Sequence, residues 1–380
     1  MRICSAQATA HHRNLRGSPC LRGEPLHLTE TDVADLRLQN QRITRPGPRG
    51  AEKVVAWFGA VQAQEYGPAK WGLGLRSPPG TTDAAIERAI ERGRILRTHL
   101  LRPTWHFVTP ADIRWMLELT APRVQRIMSS YDRRLGLSAD VMTRAAGVFE
   151  RALGDTGCLI RRELGTHLQR AGLPSTSMAQ AHIAMYAELE GLICSGPRRG
   201  KQSTYALVAD RAPAAARLQR DEALAELTRR YFSSHGPATI RDFVWWSGLT
   251  TADARRGLEM NRARSHDLDG LTYWTIGRDP GDHPRSTGLV HLLPIYDEYL
   301  VAYRDHRAVP RPAYALGNFQ HALVVGGQVA GTWRIVARAK GLAMDVRTLS
   351  RLTATQRRGV AQAVARYRGF LGVPVPLSVS

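Results

Sequence analysis

Between Leu28 and Gly277 the chain repeats one order of elements three times: amphipathic helices, then a pair of short strands. That repetition restricts the fold more than any other feature, because three helices closed by a hairpin follow the order of a winged helix-turn-helix. The first round opens on LTETDVADLRLQNQRI, with Thr29 and Thr31 as candidate N-caps and Asp32 three residues beyond Thr29. EKVVAWFGAVQAQ then carries helical spacing through Val54, Trp57, Phe58 and Val61, and Pro68 is expected to stop it. DAAIERAIERG leads into ILRTHLLRPTWHFV, read as two strands with Pro103 at the bend. The second round ends in a basic, glycine-bounded hairpin tip carrying Arg198, Arg199 and Lys201. The third starts at Asp221 and ends in LTYWTIG.

From about His291 the character changes. HALVVGGQVAGTWRI alternates as a strand pair closed on Gly326-Gly327, and TATQRRGVAQAVARYRGFL is an amphipathic helix. The expected fold class is α+β, mainly helical. It comprises a basic disordered tail (1–25), three winged units (26–125, 126–212 and 213–285) and a small C-terminal α/β cap with a hairpin (286–380).

Charge narrows the partners. Lys and Arg total 53 against 33 Asp and Glu, a formal +20, and all but four of the 53 are arginines. Such a chain favours polyanions. No stretch approaches a membrane span of ~18 apolar residues, and the basic N-terminus lacks the apolar core of a secretory signal. The four cysteines show no CxxC and no framework spacing, which fits free thiols in a reducing cytoplasm.

Standard catalytic motifs are absent: no GxGxxG, HExxH, GxSxG or zinc-deaminase pattern occurs. GPRRGKQ falls one residue short of a phosphate loop and lacks the following Ser or Thr. His99 and His106 are conceivable metal ligands, but histidines on wing strands more often meet solvent or phosphate, and no metal or other cofactor is expected. Gln62 and Gln64 stand two apart, which on a helix points them to nearly opposite faces. They converge only if the backbone leaves helical geometry near Ala63; spacing alone favours a solvated helix end.

A set of motifs reweights that reading. VQAQ, WGLGLR (71–76), LRTHLLRPTWHFVTPADIRWML (96–117), LLPIYDEYLVAYRDH (292–306) and VVGGQVAGTWR (324–334) occur in order over Leu28–Leu371. Together they resemble the bacterial winged-helix DNA glycosylase family, the group containing the azinomycin-resistance and crosslink-repair glycosylases. The resemblance implies three tandem winged helices in a C-shaped clamp on duplex DNA. It also implies hydrolysis of the N-glycosidic bond of bulky alkylated purines, including unhooking of interstrand crosslinks. The family's catalytic motif, Gln, an aliphatic residue, then Gln or Asp, falls on Gln62-Ala63-Gln64, the Gln-type branch associated with self-resistance to alkylating antibiotics.

Glutamine is no general base, but its carbonyl can orient a water and its dipole can stabilise an oxocarbenium-like sugar. This suffices for cationic N7- or N3-alkylpurines, which leave as neutral bases. Asp297, Glu298 and Asp305 offer rival bases, or else an acidic cluster that pairs with arginines and fixes the cap; Lys70 is a remote candidate for a Schiff base. Arg76, Arg97, Arg102, His106, Arg198, Arg199, Lys201 and Arg334 are assigned to the DNA backbone. The hairpin at Gly326-Gly327 either probes a groove or forms an ordinary sheet edge. The expected partner is lesion-bearing double-stranded DNA, bound by a monomer. The alternative is a non-catalytic winged-helix regulator or architectural binder. Against it, SMAQAHIAMYAELEGLI, in the place of a recognition helix, carries Glu188 and Glu190 and no Arg or Lys.

Overall fold

The computed structural model describes residues 28–277, 288–310, 320–338, 341–373 and 376–379. The tail expected over 1–25 lies outside them. After helix α1 (Glu30–Asn40) comes a first unit of α2 (Ala51–Phe58), β1 (Ala60–Gln62), α3 (Tyr66–Arg76), α4 (Asp83–Glu91), β2 (Leu96–Leu100) and β3 (Arg102–Val108). A 22-residue helix, α5 (Ile113–Arg134), leads to the second: α6 (Ala139–Thr156), β4 (Leu159–Ile160), α7 (Arg161–Arg170), α8 (Ser177–Leu189), β5 (Ile193–Ser195) and β6 (Thr204–Leu207). Past the short α9 (Val208–Arg211), the third holds α10 (Arg220–Ser234), α11 (Ile240–Ser247), α12 (Thr251–Met260), β7 (Arg264–Leu268) and β8 (Leu271–Thr275).

The sheets repeat as faithfully as the helices. Their orders are β1-β3-β2 and β4-β6-β5, and in the third unit a single bridge, Ala238 to Trp274, supplies the missing first strand beside β8. Helix starts are fixed locally. Thr29 accepts from the Asp32 N–H while Asp32 accepts from the Thr29 N–H, and Thr239/Asp242 and Thr250/Asp253 repeat this capping box.

Two expectations fail at the first unit. The helix does not run through VQAQ: it ends at Phe58, where Gly59 takes φ 83° and turns the chain into β1. Pro68 then lies in the first turn of α3, where no intrahelical N–H is needed, so it helps begin a helix rather than stop one. The bend between β2 and β3 falls at Leu101 (φ 63°), and Pro103 sits where a bulge at His99/Leu100 relieves the ladder.

The C-terminal block forms a five-stranded sheet of order β13-β12-β11-β10-β9. Its strands are β9 (Val290–Leu293), β10 (His321–Val325), β11 (Gln328–Arg338), β12 (Gly341–Thr348) and β13 (Leu377–Val379), with α13 (Glu298–Val301) and α14 (Ala354–Leu371). Its core is continuous with the first unit: Leu292, Trp333, Val360 and Phe370 pack in one cluster with Val33, Leu38, Phe58 and Leu73. The block therefore acts as a buttress behind α1–α3. Gly326 (φ 55°) and Gly327 (φ 79°) form the expected two-residue turn between Val325 and Gln328. That tip does not probe a groove: the Tyr299 hydroxyl donates to the Gly327 carbonyl, and a Cβ there would lie 3.3 Å from Ala34. Among the described residues no helix is long and apolar enough to cross a membrane.

Candidate catalytic site

Gln62 ends β1, Ala63 prolongs its pairing, and the chain bends at Gln64. Gln62 pairs with His106 across the β1–β3 ladder, and the Ala63 N–H donates to the Trp105 carbonyl at 2.7 Å, carrying the pairing one residue past β1. In an extended chain residues two apart share a face, so the spacing that separates the amides on a helix brings them together here. Ala63 points the other way and is fully buried in the apolar core. Gln62 is 7% exposed and Gln64 half-buried.

Each amide is pinned. Gln62 Oε1 accepts from Arg102 Nη2 at 3.0 Å, and Gln64 Oε1 accepts from the Trp105 backbone N–H at 3.2 Å. Arg97 braces the backbone: its Nε donates to the Ala63 carbonyl at 2.9 Å and its Nη2 to that of Gln64 at 3.3 Å, while its guanidinium lies 4.4 Å from the Trp105 ring. Burial lowers the pKa of both arginines, opposed in part by Glu298 for Arg102 and by Glu188 for Arg97.

Glu298 lies behind Gln62. The Gln62 N–H donates to its Oε1 at 2.6 Å, and its Oε2 takes His235 Nε2 at 3.1 Å and Trp246 Nε1–H at 3.0 Å. Burial alone would raise this carboxyl; the His235 bond, followed by the Gln62 N–H, outweighs burial and holds it at about 2. Burial also lowers the pKa of His235, whose Nδ1 lies 2.8 Å from the Ser234 hydroxyl, which donates to the Arg230 carbonyl at 2.6 Å. At 1% exposure and with both oxygens occupied, Glu298 anchors the strand and does not face the open side.

The other acidic candidates are structural as well. Asp297 takes a bidentate pair from Arg76, at 2.8 and 2.7 Å, and Asp305 accepts from the Tyr273 hydroxyl at 2.9 Å. Lys70 is held by Asp83 at 2.9 Å and Glu87 at 2.6 Å, which leaves its amine engaged.

The basic positions assigned to the DNA backbone separate. Arg76 is 1% exposed and consumed by Asp297 and Gln41, so it cannot meet a phosphate. His106 is fully buried, with Nδ1 on the Thr104 carbonyl at 3.0 Å; burial, aided by Arg102, pushes it down to about 3, and it is no phosphate contact. Arg97 and Arg102 belong to the glutamine pair. Arg198 is half-buried, 4.9 Å from the Tyr66 ring and 3.8 Å from Glu87, and Arg199 pairs with Glu163. Lys201 and Arg334 are exposed, the latter 3.3 Å from Asp345. His99 pairs with Glu188, which is 1% exposed and also takes the Trp105 indole at 3.4 Å, so Glu188 faces inward rather than into a groove. No group of three or more His, Cys, Asp or Glu able to hold a metal occurs among the described residues.

One neighbour of the site was not anticipated. Trp245 is 44% exposed, its indole donates to the Val301 carbonyl at 3.0 Å, and the Arg102 and Arg304 guanidiniums each lie 5.5 Å from its ring. In VWWSGL nothing distinguishes it from fully buried Trp246; only the third unit's placement against β3 does.

Comparisons with known proteins agree with this architecture. An interstrand DNA cross-link repair glycosylase of Streptomyces sahachiroi is 26% identical over 330 residues, covering 79% of this chain and 86% of that protein. The solved structure of the Streptomyces sahachiroi DNA glycosylase AlkZ superposes with a TM-score of 0.79 at 21% identity, over 93% of this chain and all of that one. The family model for AlkZ-like DNA glycosylases matches residues 55–370, and the chain belongs to that family.

Proposed function

We propose that this DNA glycosylase hydrolyses the N-glycosidic bond of bulky cationic alkylpurines, the N7 and N3 adducts, in duplex DNA. The observation that carries the reading is the pair of pinned glutamine amides at the end of β1, with the buried carboxylate behind them, Glu298, turned to the strand's backbone. The amide pair offers an acceptor for a water and dipoles for a developing cation, but is itself no acid to protonate a leaving base. Cationic purines need none. The C1′–N bond electrons neutralise the purine as it leaves, the water oxygen bonds to C1′, and the water's proton passes to solvent. The engaged Lys70 amine supports hydrolysis without a lyase step.

The three units with matching strand order are read as tandem winged helices forming a C-shaped clamp. Their exposed basic tips, Arg199 and Lys201 above all, lie along the DNA backbone, and a +20 charge supplies the grip. The related cross-link repair glycosylase supports crosslinks as further substrates, for repair or self-resistance. We place a monomer on nucleoid DNA in the cytoplasm.

The test is alkali-labile strand cleavage after incubation with duplex carrying N7-alkylguanine or a nitrogen-mustard crosslink. Cleavage that vanishes in Gln62→Ala and Gln64→Ala is expected. Tight binding with no abasic product would return the chain to a non-catalytic binder, and excision of uracil at a comparable rate would sink the mechanism.

A further inference from the structure

The two glutamines are pinned by different kinds of donor, and the difference separates their roles. A guanidinium has only donors, so Gln62 must present Oε1 to Arg102; turned over, its NH2 would oppose another N–H. Its backbone is fixed as well, through the N–H on Glu298. What remains is Nε2, which makes no hydrogen bond among the described residues and is not among the buried orphaned atoms, so solvent reaches it. Gln64 Oε1 is held by a neutral backbone N–H, which leaves that oxygen a second lone pair, and no guanidinium hydrogen-bonds to it among the described residues. A positive charge on the Gln62 carbonyl makes that oxygen a poor companion for a developing cation. The same charge polarises the amide and strengthens its N–H donors.

We infer that Arg102 is a positioning residue that makes Gln62 the hydrogen-bond donor of the pair. Gln62 Nε2–H2 is directed at an acceptor atom of the bound nucleotide, a purine ring nitrogen or a deoxyribose oxygen. Gln64 is the acceptor that holds the attacking water. The inference rests on the hydrolytic reading above and deepens it.

Isosteric exchange separates donor from acceptor. Single-turnover excision from duplex carrying N7-methylguanine is measured for wild type, Gln62→Ala, Gln62→Glu and Gln64→Glu, over a range of enzyme concentration. Loss of one preorganised donor costs about 100-fold, so Gln62→Glu is expected to fall about 100-fold, as far as Gln62→Ala. Gln64→Glu, which keeps an acceptor, is expected to lose less than about tenfold on the same scale. Arg102→Met lowers the maximal rate about tenfold or more with little change in half-saturating concentration, and Arg102→Lys restores part of it. Gln62→Glu within about threefold of wild type would overturn the assignment, as would an Arg102→Met defect confined to half-saturation, the mark of a phosphate contact. Fluorescence anisotropy with a tetrahydrofuran-site duplex needs no turnover and separates this inference from the hydrolytic reading. If wild type excises nothing, that reading falls. The donor assignment still stands if Gln62→Glu binds at least about tenfold more weakly than the charge-matched Gln64→Glu, and falls if the two lose equally.

Discussion

The first and second units share strand order and helix order but differ where the first strand meets the next helix. In the second unit β4 runs directly into α7: Ile160 is both the last strand residue and the N-cap, with Glu163 reaching back to its N–H at 2.9 Å. The third unit is equally abrupt, passing from the Ala238 bridge to the Thr239 cap of α11. In the first unit three residues, Ala63, Gln64 and Glu65, intervene before α3, and the helix begins without a side-chain cap. Two copies of the unit use this junction to close a helix. The first unit lengthens it, leaves the helix start without a side-chain cap, and carries one glutamine at the strand end and the other on the extension. The proposed chemistry therefore occupies a junction that the fold elsewhere keeps short and satisfied.

Substitution at the two junctions is the strongest way to break this comparison. Gln62→Ala or Gln64→Ala is expected to lower excision by about 100- to 1000-fold while the melting temperature stays near wild type. Ile160→Ala, at the matching buried position, is expected to lose about 2–4 kcal/mol of stability with excision per folded molecule unchanged. Chemical denaturation beside single-turnover kinetics checks both, and a catalytic defect in Ile160→Ala would erase the distinction. Behind the extension, Asp297→Ala strands the buried Arg76 and should cost about 3–5 kcal/mol, read as a shifted urea midpoint.

The repeated helix–hairpin order, the Thr29 cap and the Gly326-Gly327 turn were legible because each is set by neighbours in sequence. The junction was not. Val54, Trp57, Phe58 and Val61 keep helical spacing across the break at Gly59, and what makes Gln62 extended is His106, far along the chain. Arg76 and His106 misled for the same reason. A charged or polar side chain reads as exposed until its partner is known, and Asp297 lies 221 residues from Arg76. The site was named by a motif resemblance rather than by spacing, and the anchoring roles of Arg102 and Glu298 had no sequence signal.

A smaller effect concerns pH. His106 has a folded pKa of about 3 against an ordinary 6.5, so between those values the unfolded chain takes a proton that the folded one refuses. Stability is then complete above pH 6.5 and falls as pH drops toward 3. Glu298, held at about 2 against 4.5, adds a loss that begins only below about pH 4.5. His106→Phe should flatten the upper part of the urea-stability profile and Glu298→Gln only the lower; the reverse assignment would show that the buried layer under Gln62 is misread. Smallest of all, Lys201→Ala at the second unit's tip should reduce the slope of log K against log salt by about one and leave the excision rate alone.

The measurement that tests the central claim most directly is a ratio. One preparation of wild-type protein is given matched duplexes carrying N7-methylguanine or uracil, and single-turnover excision is followed on both. A site built on two glutamine amides, without an acid for the leaving base, predicts excision of the cationic base at least about 1000-fold faster. Comparable rates on the two duplexes would contradict it.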